Sequence, residues 1–348
     1  MKKQRMKTHW SVLSVFLLVL AAAVNVPALT LVTGRTFLVY TGEGVFAPEI
    51  NGFYANYTEA GNTVINGTDM TLEDLRGNLT ADVDALFLPA IDLSDMDLSF
   101  IKEWFDLGGK MLWVGGDSDF GGFFIADNLN PALEEVGSVL RLDSGAVDDP
   151  VSNDGASYRV VANQLDDGPI ASAIKEHVDG DFKMPFHGPT SVYYMKDGEP
   201  FDLRNADLDN VEVVVMSSPL ARAIDQDLSQ GVGDFYSNID AIGNLPLLAV
   251  ETIGSNMVVV SGEAVFKDYK NMYGNRLERS GEFHYGSIVV DTVISFMPSV
   301  NSSSETSSRE TTTNSSTLTS DSSPILSAPI SLVPFAIAVI VLVRKRIL

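Results

Sequence analysis

The sequence lacks cysteine entirely and has few histidines and few basic residues. Its 348 residues include no Cys and four His, and 23 Lys and Arg stand against 46 Asp and Glu. Without cysteine there are no disulfides, no thiolate metal sites and no thiol nucleophile. A formal net charge of −23 excludes a nucleic-acid partner, because such binding needs a basic patch that displaces phosphate counterions.

The first 28 residues have the composition of a secretory signal peptide. Residues 1–9 are basic, residues 10–24 are almost all apolar, and small residues follow. This order predicts export of the chain that follows, with cleavage near residue 28. An uncleaved signal anchor is the alternative, because apolar character continues to Val32.

The C-terminal segments predict a stalk and a membrane anchor. Seventeen of the 25 residues in 299–323 are Ser or Thr, a composition that is typical of a solvated stalk. Residues 325–343 carry no charge and suit a transmembrane helix, and the basic tail 344–348 follows. We therefore expect a single-pass protein of the cell membrane with an extracytoplasmic body and a cytoplasmic C terminus. A processed sorting tail is the alternative.

Sequons for N-linked glycans predict a glycoprotein. An exported chain displays them to the glycosylation machinery, and together with the missing cysteine and acidic balance they fit an archaeal-type surface protein. The acceptor asparagines are Asn56, Asn66, Asn78, Asn301 and Asn314.

Residues 33–298 form an exported body that we predict to be α/β. Short apolar strands alternate with helices, as in a doubly wound, mostly parallel sheet, with a second α/β half. Thr71 to Asp74 has the pattern of a helix capping box. The acidic, loop-like residues 143–155 separate two halves, 33–142 and 156–298. Predicted strands include 36–40, 63–65, 85–89, 110–114, 158–162, 191–195, 211–216, 247–251 and 257–260.

Two segments of the body echo each other. Lys110–Phe120 and Asn256–Phe266 both contain an apolar strand, a glycine turn, an acid and a phenylalanine. Open α/β sheets place ligand crevices at the carboxyl ends of their strands, although glycine-acid turns also commonly just close a strand. On the first interpretation a cleft holds Glu43, Asp92, Asp117, Ser118, Asp119 and Glu263.

Motifs for catalysis are weak. Gly42-x-Gly44-x-x-Ala47 has the spacing of a dinucleotide loop, but Glu43 would repel a pyrophosphate. Gly116-Asp117-Ser118 resembles the Gly-Asp-Ser block of the SGNH esterases, which implies a serine hydrolase as an alternative function. That family's Asp-x-x-His block is missing, because none of the body histidines, His177, His187 and His284, follows an Asp by three residues.

Metal binding has little support in the sequence. Acids cluster at Asp143, Asp148, Asp149 and Asp154, but their spacing does not match a calcium loop. We therefore expect no metal and no other cofactor.

A family resemblance covers residues 33–298. The segments that carry it are 37–40, 84–89, 105–117, 167–170, 187–189, 217–221, 245–249 and 257–263. In this order they resemble the GldG-type, glutamine-amidotransferase-like domain. The resemblance implies a flavodoxin-like or amidotransferase-like fold. Members occur beside gliding, ABC-transport and intraflagellar-transport machinery, and a related domain is a non-catalytic subunit of oligosaccharyltransferase.

The resemblance also predicts that the chain is not an enzyme. Amidotransferases carry a nucleophilic cysteine at the turn that corresponds here to residues 115–118, and this chain has no cysteine. We expect a membrane-anchored binding or scaffold protein whose partner is a glycan, a glycosyltransferase complex or an ABC-transport complex. A serine hydrolase using Ser118 and a structural cell-envelope protein are the alternatives.

Overall fold

A computed structural model describes residues 29–42, 50–89, 91, 93, 97–120, 125–226, 235–266 and 272–298. The strands β1 to β15 are Thr36–Gly42, Thr63–Thr68, Ala85–Leu88, Met111–Gly115, Leu140–Leu142, Ala146–Asp148, Arg159–Ala162, Gln164–Leu165, Met184–His187, Val192–Lys196, Glu199–Phe201, Val211–Met216, Arg222–Ile224, Pro246–Ile253 and Asn256–Ser261. The helices α1 to α7 are Ile50–Glu59, Leu72–Asn78, Ser99–Phe105, Ile125–Glu135, Pro169–Lys175, Phe235–Asn238 and Gly286–Ser295. The predicted segments 1–28, 299–323, 325–343 and 344–348 lie outside the described residues, as do Glu43, Asp92, Asn301 and Asn314.

A large central sheet organises the chain. Its strand order is β2-β1-β3-β4-β15-β14-β12-β8. The first five strands in this order are mutually parallel. The apolar runs of β1, β3, β4 and β15 suit strands that are covered on both faces. The prediction of an α/β fold with a mostly parallel central sheet is therefore confirmed.

The two echoing segments lie side by side in this sheet. β4 and β15 are neighbouring parallel strands, and each residue of one pairs with its counterpart in the other, from Met111 with Met257 to Gly115 with Ser261. The following phenylalanines differ: Phe266 is buried in the core, whereas Phe120 is 75% exposed. The echo therefore marks two adjacent strands with similar surroundings rather than two equivalent turns.

Helices cover both faces of the sheet because successive strand residues point to opposite sides. One face packs against α1, α5 and α7, and the other against α2, α3 and α4. The residues facing α1, α5 and α7 include Phe37, Phe87, Trp113 and Val259. Those facing α2, α3 and α4 include Leu38, Leu86, Leu112 and Val258.

The far side of the sheet is antiparallel. Gly254 and Ser255 connect β14 to β15 directly, with Gly254 at φ +60°. A two-residue loop joins only antiparallel strands, and glycine at its first position is typical of a type II′ turn. β12 and β8 continue the antiparallel pattern outward. The sheet is therefore mixed, and it draws strands from both halves of the body.

The predicted localisation requires correction. In the chain that the structure describes, no helix is long and apolar enough to cross a membrane. This finding does not support the single-pass anchor or the terminal membrane segments that the sequence predicted.

Candidate functional site

The structure brings together the described members of the predicted cleft. Asp117, Ser118 and Asp119 follow β4, and Glu263 follows the neighbouring strand β15. We call these four residues the strand-end cluster. Three of them, Ser118, Asp119 and Glu263, are at most 5% exposed. Carboxyl ends of adjacent parallel strands meet at one sheet edge, which is why the sequence pattern could predict this grouping.

A loop of the chain itself lies over the strand-end cluster. This segment, His187–Thr190, begins at the last residue of β9 and was not predicted to belong to the site; we call it the covering loop. The Ser118 backbone N–H donates to the Gly188 carbonyl at 2.9 Å. The Thr190 N–H donates to the Gly262 carbonyl at 2.9 Å, and the His187 N–H donates to the Glu263 carboxylate. At the carboxyl ends of β4 and β15, a position where open α/β sheets bind ligands is thus occupied by backbone.

Glycines make this close approach sterically feasible. A Cβ on Gly262 would lie 1.9 Å from the Thr190 carbonyl oxygen, and a Cβ on Gly115 would lie 2.4 Å from the Cα of Ala264. Real Cβ atoms do not approach other atoms so closely. A cavity beside His187 and Glu263 has a volume of about 20 Å³, which is room for one water molecule.

The side chains of the strand-end cluster also serve local structure. The Asp117 carboxylate accepts from the Ser118 N–H at 2.9 Å, and Asp119 accepts from the Gln226 N–H at 2.7 Å. Ser118 is 5% exposed, whereas a serine nucleophile needs its Oγ displayed to substrate on a strand-to-helix turn. The Ser118 backbone N–H is bonded to the Gly188 carbonyl, so it does not point into an open site as an oxyanion-hole donor must.

The histidines of the body lie in different settings. His187 belongs to the covering loop, and its ring packs against Tyr158 with centroids 5.4 Å apart. His284 is fully buried beside α7, where its Nδ1 accepts from the Gly286 N–H at 3.0 Å. Burial lowers the pKa of His284 to about 4. The neutral imidazole thus accepts a backbone hydrogen bond at the turn that leads into α7.

The acidic loop is held together by its own carboxylates. Asp149 accepts from the Val151 and Ser152 N–H groups, and Asp154 accepts from the Arg279 and Ser280 N–H groups at 2.7 and 2.9 Å. Among the described residues, no group of three or more His, Cys, Asp or Glu side chains has the arrangement of a metal site. These acids therefore act as caps for turns.

The described sequons differ in exposure. Asn56 and Asn66 are exposed, whereas Asn78 is half-buried at the end of α2. The Asn66 Oδ1 accepts from the Thr68 hydroxyl at 2.7 Å, and the Asn78 amide donates to the Asp74 carbonyl at 2.8 Å. Asn66 offers its side chain to solvent more fully than Asn78 does.

A second concave region was missed by sequence reasoning. A cleft of about 560 Å³ runs beside β12, and its lining includes Val211, Val213 and Val250. Asp166 and Glu212 add carboxylates to it. The sequence predicted β12 as a strand, but only the sheet order shows that it lies near the sheet's edge.

Comparisons with known proteins give low similarities. No protein-family model matches the chain, and no curated protein matches it. The N-terminal domain of mmIFT52 is 14% identical, with 77% of this chain and 98% of that domain covered and a TM-score of 0.47. Cytoplasmic protein STM3548 from Salmonella typhimurium is 10% identical over 76% of this chain and 99% of that one, with a TM-score of 0.37. PurLQS from Thermotoga maritima is 13% identical over 76% and 99%, with a TM-score of 0.34. At these TM-scores the likeness does not bear on the family or function of this chain.

Proposed function

We propose that this chain is a non-enzymatic binding or scaffold protein with the amidotransferase-like fold of GldG-type domains. The observation that supports this best is the loop His187–Thr190, which lies over the strand-end cluster. An enzyme of this architecture would keep that position open, because its substrate must reach groups at the strand ends. In this chain the space is filled by backbone held by glycines and hydrogen bonds.

The residue types support the same conclusion. The chain has no cysteine for thiol-based glutamine hydrolysis, and Ser118 is buried with its N–H bonded to Gly188. A serine hydrolase would need the covering loop to move and His187 to act as the base. That alternative has one observation in its favour, the position of His187 in the loop above Ser118.

The partner follows from the family resemblance. We propose an accessory role in a glycosyltransferase complex of the oligosaccharyltransferase type or in an ABC-transport complex, with a glycan as the other ligand class. The acidic balance of the chain keeps such a domain soluble and disfavours acidic partners.

Hydrolysis assays test the absence of catalysis. Purified full-length protein is incubated with glutamine and with short-chain p-nitrophenyl esters, alongside Ser118→Ala. We expect both proteins to match the background rate. Hydrolysis that is present in the wild type and lost in Ser118→Ala would overturn the proposal in favour of the serine hydrolase.

Capture of partners tests the scaffold role. The full chain is crosslinked in its native cells, purified and identified together with what it retains. We expect subunits of a glycosyltransferase or an ABC permease. Recovery of only further copies of this chain, assembled into ordered arrays, would instead identify a structural envelope protein.

A further inference from the structure

The outer strand region of the central sheet is only partly covered. β8 pairs with β12 at Val215 and Met216, and the Asp166 N–H just after β8 donates to the Val214 carbonyl at 3.4 Å. In the part of the chain that the structure describes, no strand pairs with the outer side of Val211–Val213. The register of β12 with β14 also shifts between Val213 and Val215. The first half of β12 therefore forms an open edge of the sheet.

The open edge presents backbone hydrogen-bonding groups. In an antiparallel ladder, alternate residues direct both their N–H and C=O to the same neighbour. The Asn210 carbonyl accepts from the Thr252 N–H of β14 at 2.8 Å, so Asn210 and Glu212 bond inward. The Val211 C=O and the Val213 N–H therefore point outward. They lie between two outer groups that the chain itself satisfies: the Val211 N–H donates to the Leu208 carbonyl at 3.2 Å, and the Val214 carbonyl accepts from the Asp166 N–H at 3.4 Å. The two outward groups between them are a template for pairing with another extended chain.

Two adjoining clefts lie along the edge. The cleft of about 560 Å³ described above lies along Val211–Val213. An adjoining cleft of about 510 Å³ shares Asp166, Arg204 and Val213 with it and continues to the exposed Ile242. An extended segment rises 3.2–3.4 Å per residue, so a few residues of a partner strand fit along this groove.

The groove carries unbalanced negative charge. Asp166 and Asp209 are exposed in its lining. Glu212 is half-buried there, and its carboxylate accepts from the Ile170 and Ala171 N–H groups of α5 at 3.2 and 2.8 Å. The lining's cation, Arg204, is bonded through its Nε and Nη2 to the Asp202 carboxylate at 2.6–3.0 Å. Burial, with a contribution from nearby Asp166, raises the pKa of Glu212. A cationic side chain placed here would balance the negative charge of the groove and would lower the pKa of Glu212 toward its usual value.

We propose that the open edge of β12 is the docking site for an extended peptide segment of a partner protein with alternating apolar and basic side chains. Backbone pairing with the Val211 C=O and the Val213 N–H supplies affinity, because each added strand bond satisfies a group on both chains. The apolar side chains contact Val211 and Ile242, and the basic ones lie against Asp166 and Asp209. This inference rests on the proposed scaffold function and names the surface that performs it.

Peptide binding to the full-length protein tests the site. The probes are a fluorescent Lys-Val alternating octapeptide and a Glu-Val octapeptide of the same length. The groove variant is Asp166→Asn with Asp209→Asn. The matched control is Glu103→Gln with Asp181→Asn, which removes the same charge at exposed positions outside the groove. Circular dichroism verifies that both variants remain folded.

We expect the Lys-Val peptide to bind at least tenfold more tightly than the Glu-Val peptide. The groove variant should weaken it at least fivefold, and the control less than twofold. Hydrogen exchange should slow in residues 209–216 when the peptide binds. Absence of binding, equal losses in the two variants, or protection confined to other segments would overturn the docking site.

Two further measurements separate the outcomes. Sedimentation of the free protein as a dimer that the Lys-Val peptide does not dissociate would make a second copy the occupant and overturn the proposal. Ser118-dependent hydrolysis would overturn the scaffold function whatever happens at β12. Failure at β12 with partners still captured by crosslinking would overturn the docking site alone.

Discussion

The Thr190 N–H donates to the Gly262 carbonyl at 2.9 Å, and the Thr190 carbonyl oxygen lies 1.9 Å from the position that a Cβ on Gly262 would occupy. This contact joins the covering loop to the end of β15. It is possible because the residue at position 262 has no side chain.

Gly262→Ala should therefore destabilise the body. The added methyl meets backbone, which cannot move aside as a flexible side chain can, so we expect a loss of about 1–3 kcal/mol or more. Urea denaturation measures it. The control is Gly52→Ala in α1, where a Cβ meets no atom within 4 Å and helix propensity predicts a gain of about 0.5–1 kcal/mol. Equal midpoints for Gly262→Ala and wild type would show that the loop is not held as described.

Asp291→Asn should change how stability depends on pH. Burial raises the pKa of Asp291 to about 6, and its Oδ1 accepts from the hydroxyls of Tyr57 and Tyr273 at 2.9 and 3.1 Å. A raised pKa in the folded state favours the protonated acid. The stabilisation that Asp291 contributes is therefore complete below about pH 4 and is lost as the pH rises through 6. The shift corresponds to about 3 kcal/mol.

Asparagine keeps the Oδ1 acceptor and cannot ionise. The free energies of unfolding of Asp291→Asn and wild type should therefore converge near pH 4 and diverge by up to about 3 kcal/mol at pH 7, with the variant more stable. Denaturation at several pH values measures the difference. Asp181→Asn, the same replacement at an exposed position, is the control for the loss of a carboxylate. Parallel profiles for Asp291→Asn and wild type would contradict the prediction.

The titration of His284 should make stability depend on pH in the opposite direction to that of Asp291. Its pKa is lowered to about 4 by burial, so its stabilising neutral form is complete above pH 6.5 and is lost as pH falls toward 4. The loss amounts to about 3 kcal/mol at the acid end. Ring-proton NMR of the four histidines, with His284→Gln for assignment, should show one resonance unchanged down to about pH 5. Titration of that resonance near pH 6.5 would refute the buried setting.

Thr71→Ala should weaken the start of α2. The Thr71 hydroxyl accepts from the Asp74 N–H at 3.1 Å, and the Asp74 carboxylate accepts from the Thr71 N–H at 3.0 Å. Loss of such a cap costs about 1 kcal/mol. Thr71→Ser, which keeps the hydroxyl, should retain most of that stability in the same denaturation assay. Equal losses in the two variants would mean that the cap contributes nothing.

Local features of the fold could be predicted from the sequence. The capping box at Thr71 is confirmed, and the predicted strand 211–216 has the observed bounds of β12. Gly108 and Gly109, at φ +79° and +69°, follow α3 as a helix-ending pair should. These features depend on neighbours within a few residues, which the sequence lists directly.

The arrangement of strands could be predicted only in part. The apolar runs indicated a parallel sheet. The residues that match between the two echoing segments are also the residues that pair between β4 and β15. The hairpin turn at Gly254 and Ser255 was overlooked, and it is this turn that reverses β14. Short strands such as β8 carry too few residues for a periodic pattern.

For the candidate site, the sequence by itself determined the residue types: no cysteine, glycine-acid turns after two strands, and an acidic chain. Those types exclude thiol catalysis wherever the residues lie. Only the tertiary structure decided that the loop His187–Thr190 fills the strand ends and that Val211–Val213 remains an open edge. Both depend on contacts between segments that are far apart in the chain. Neither the composition nor the spacing of residues indicates which backbone groups form such hydrogen bonds, because every residue type except proline carries both an N–H and a C=O.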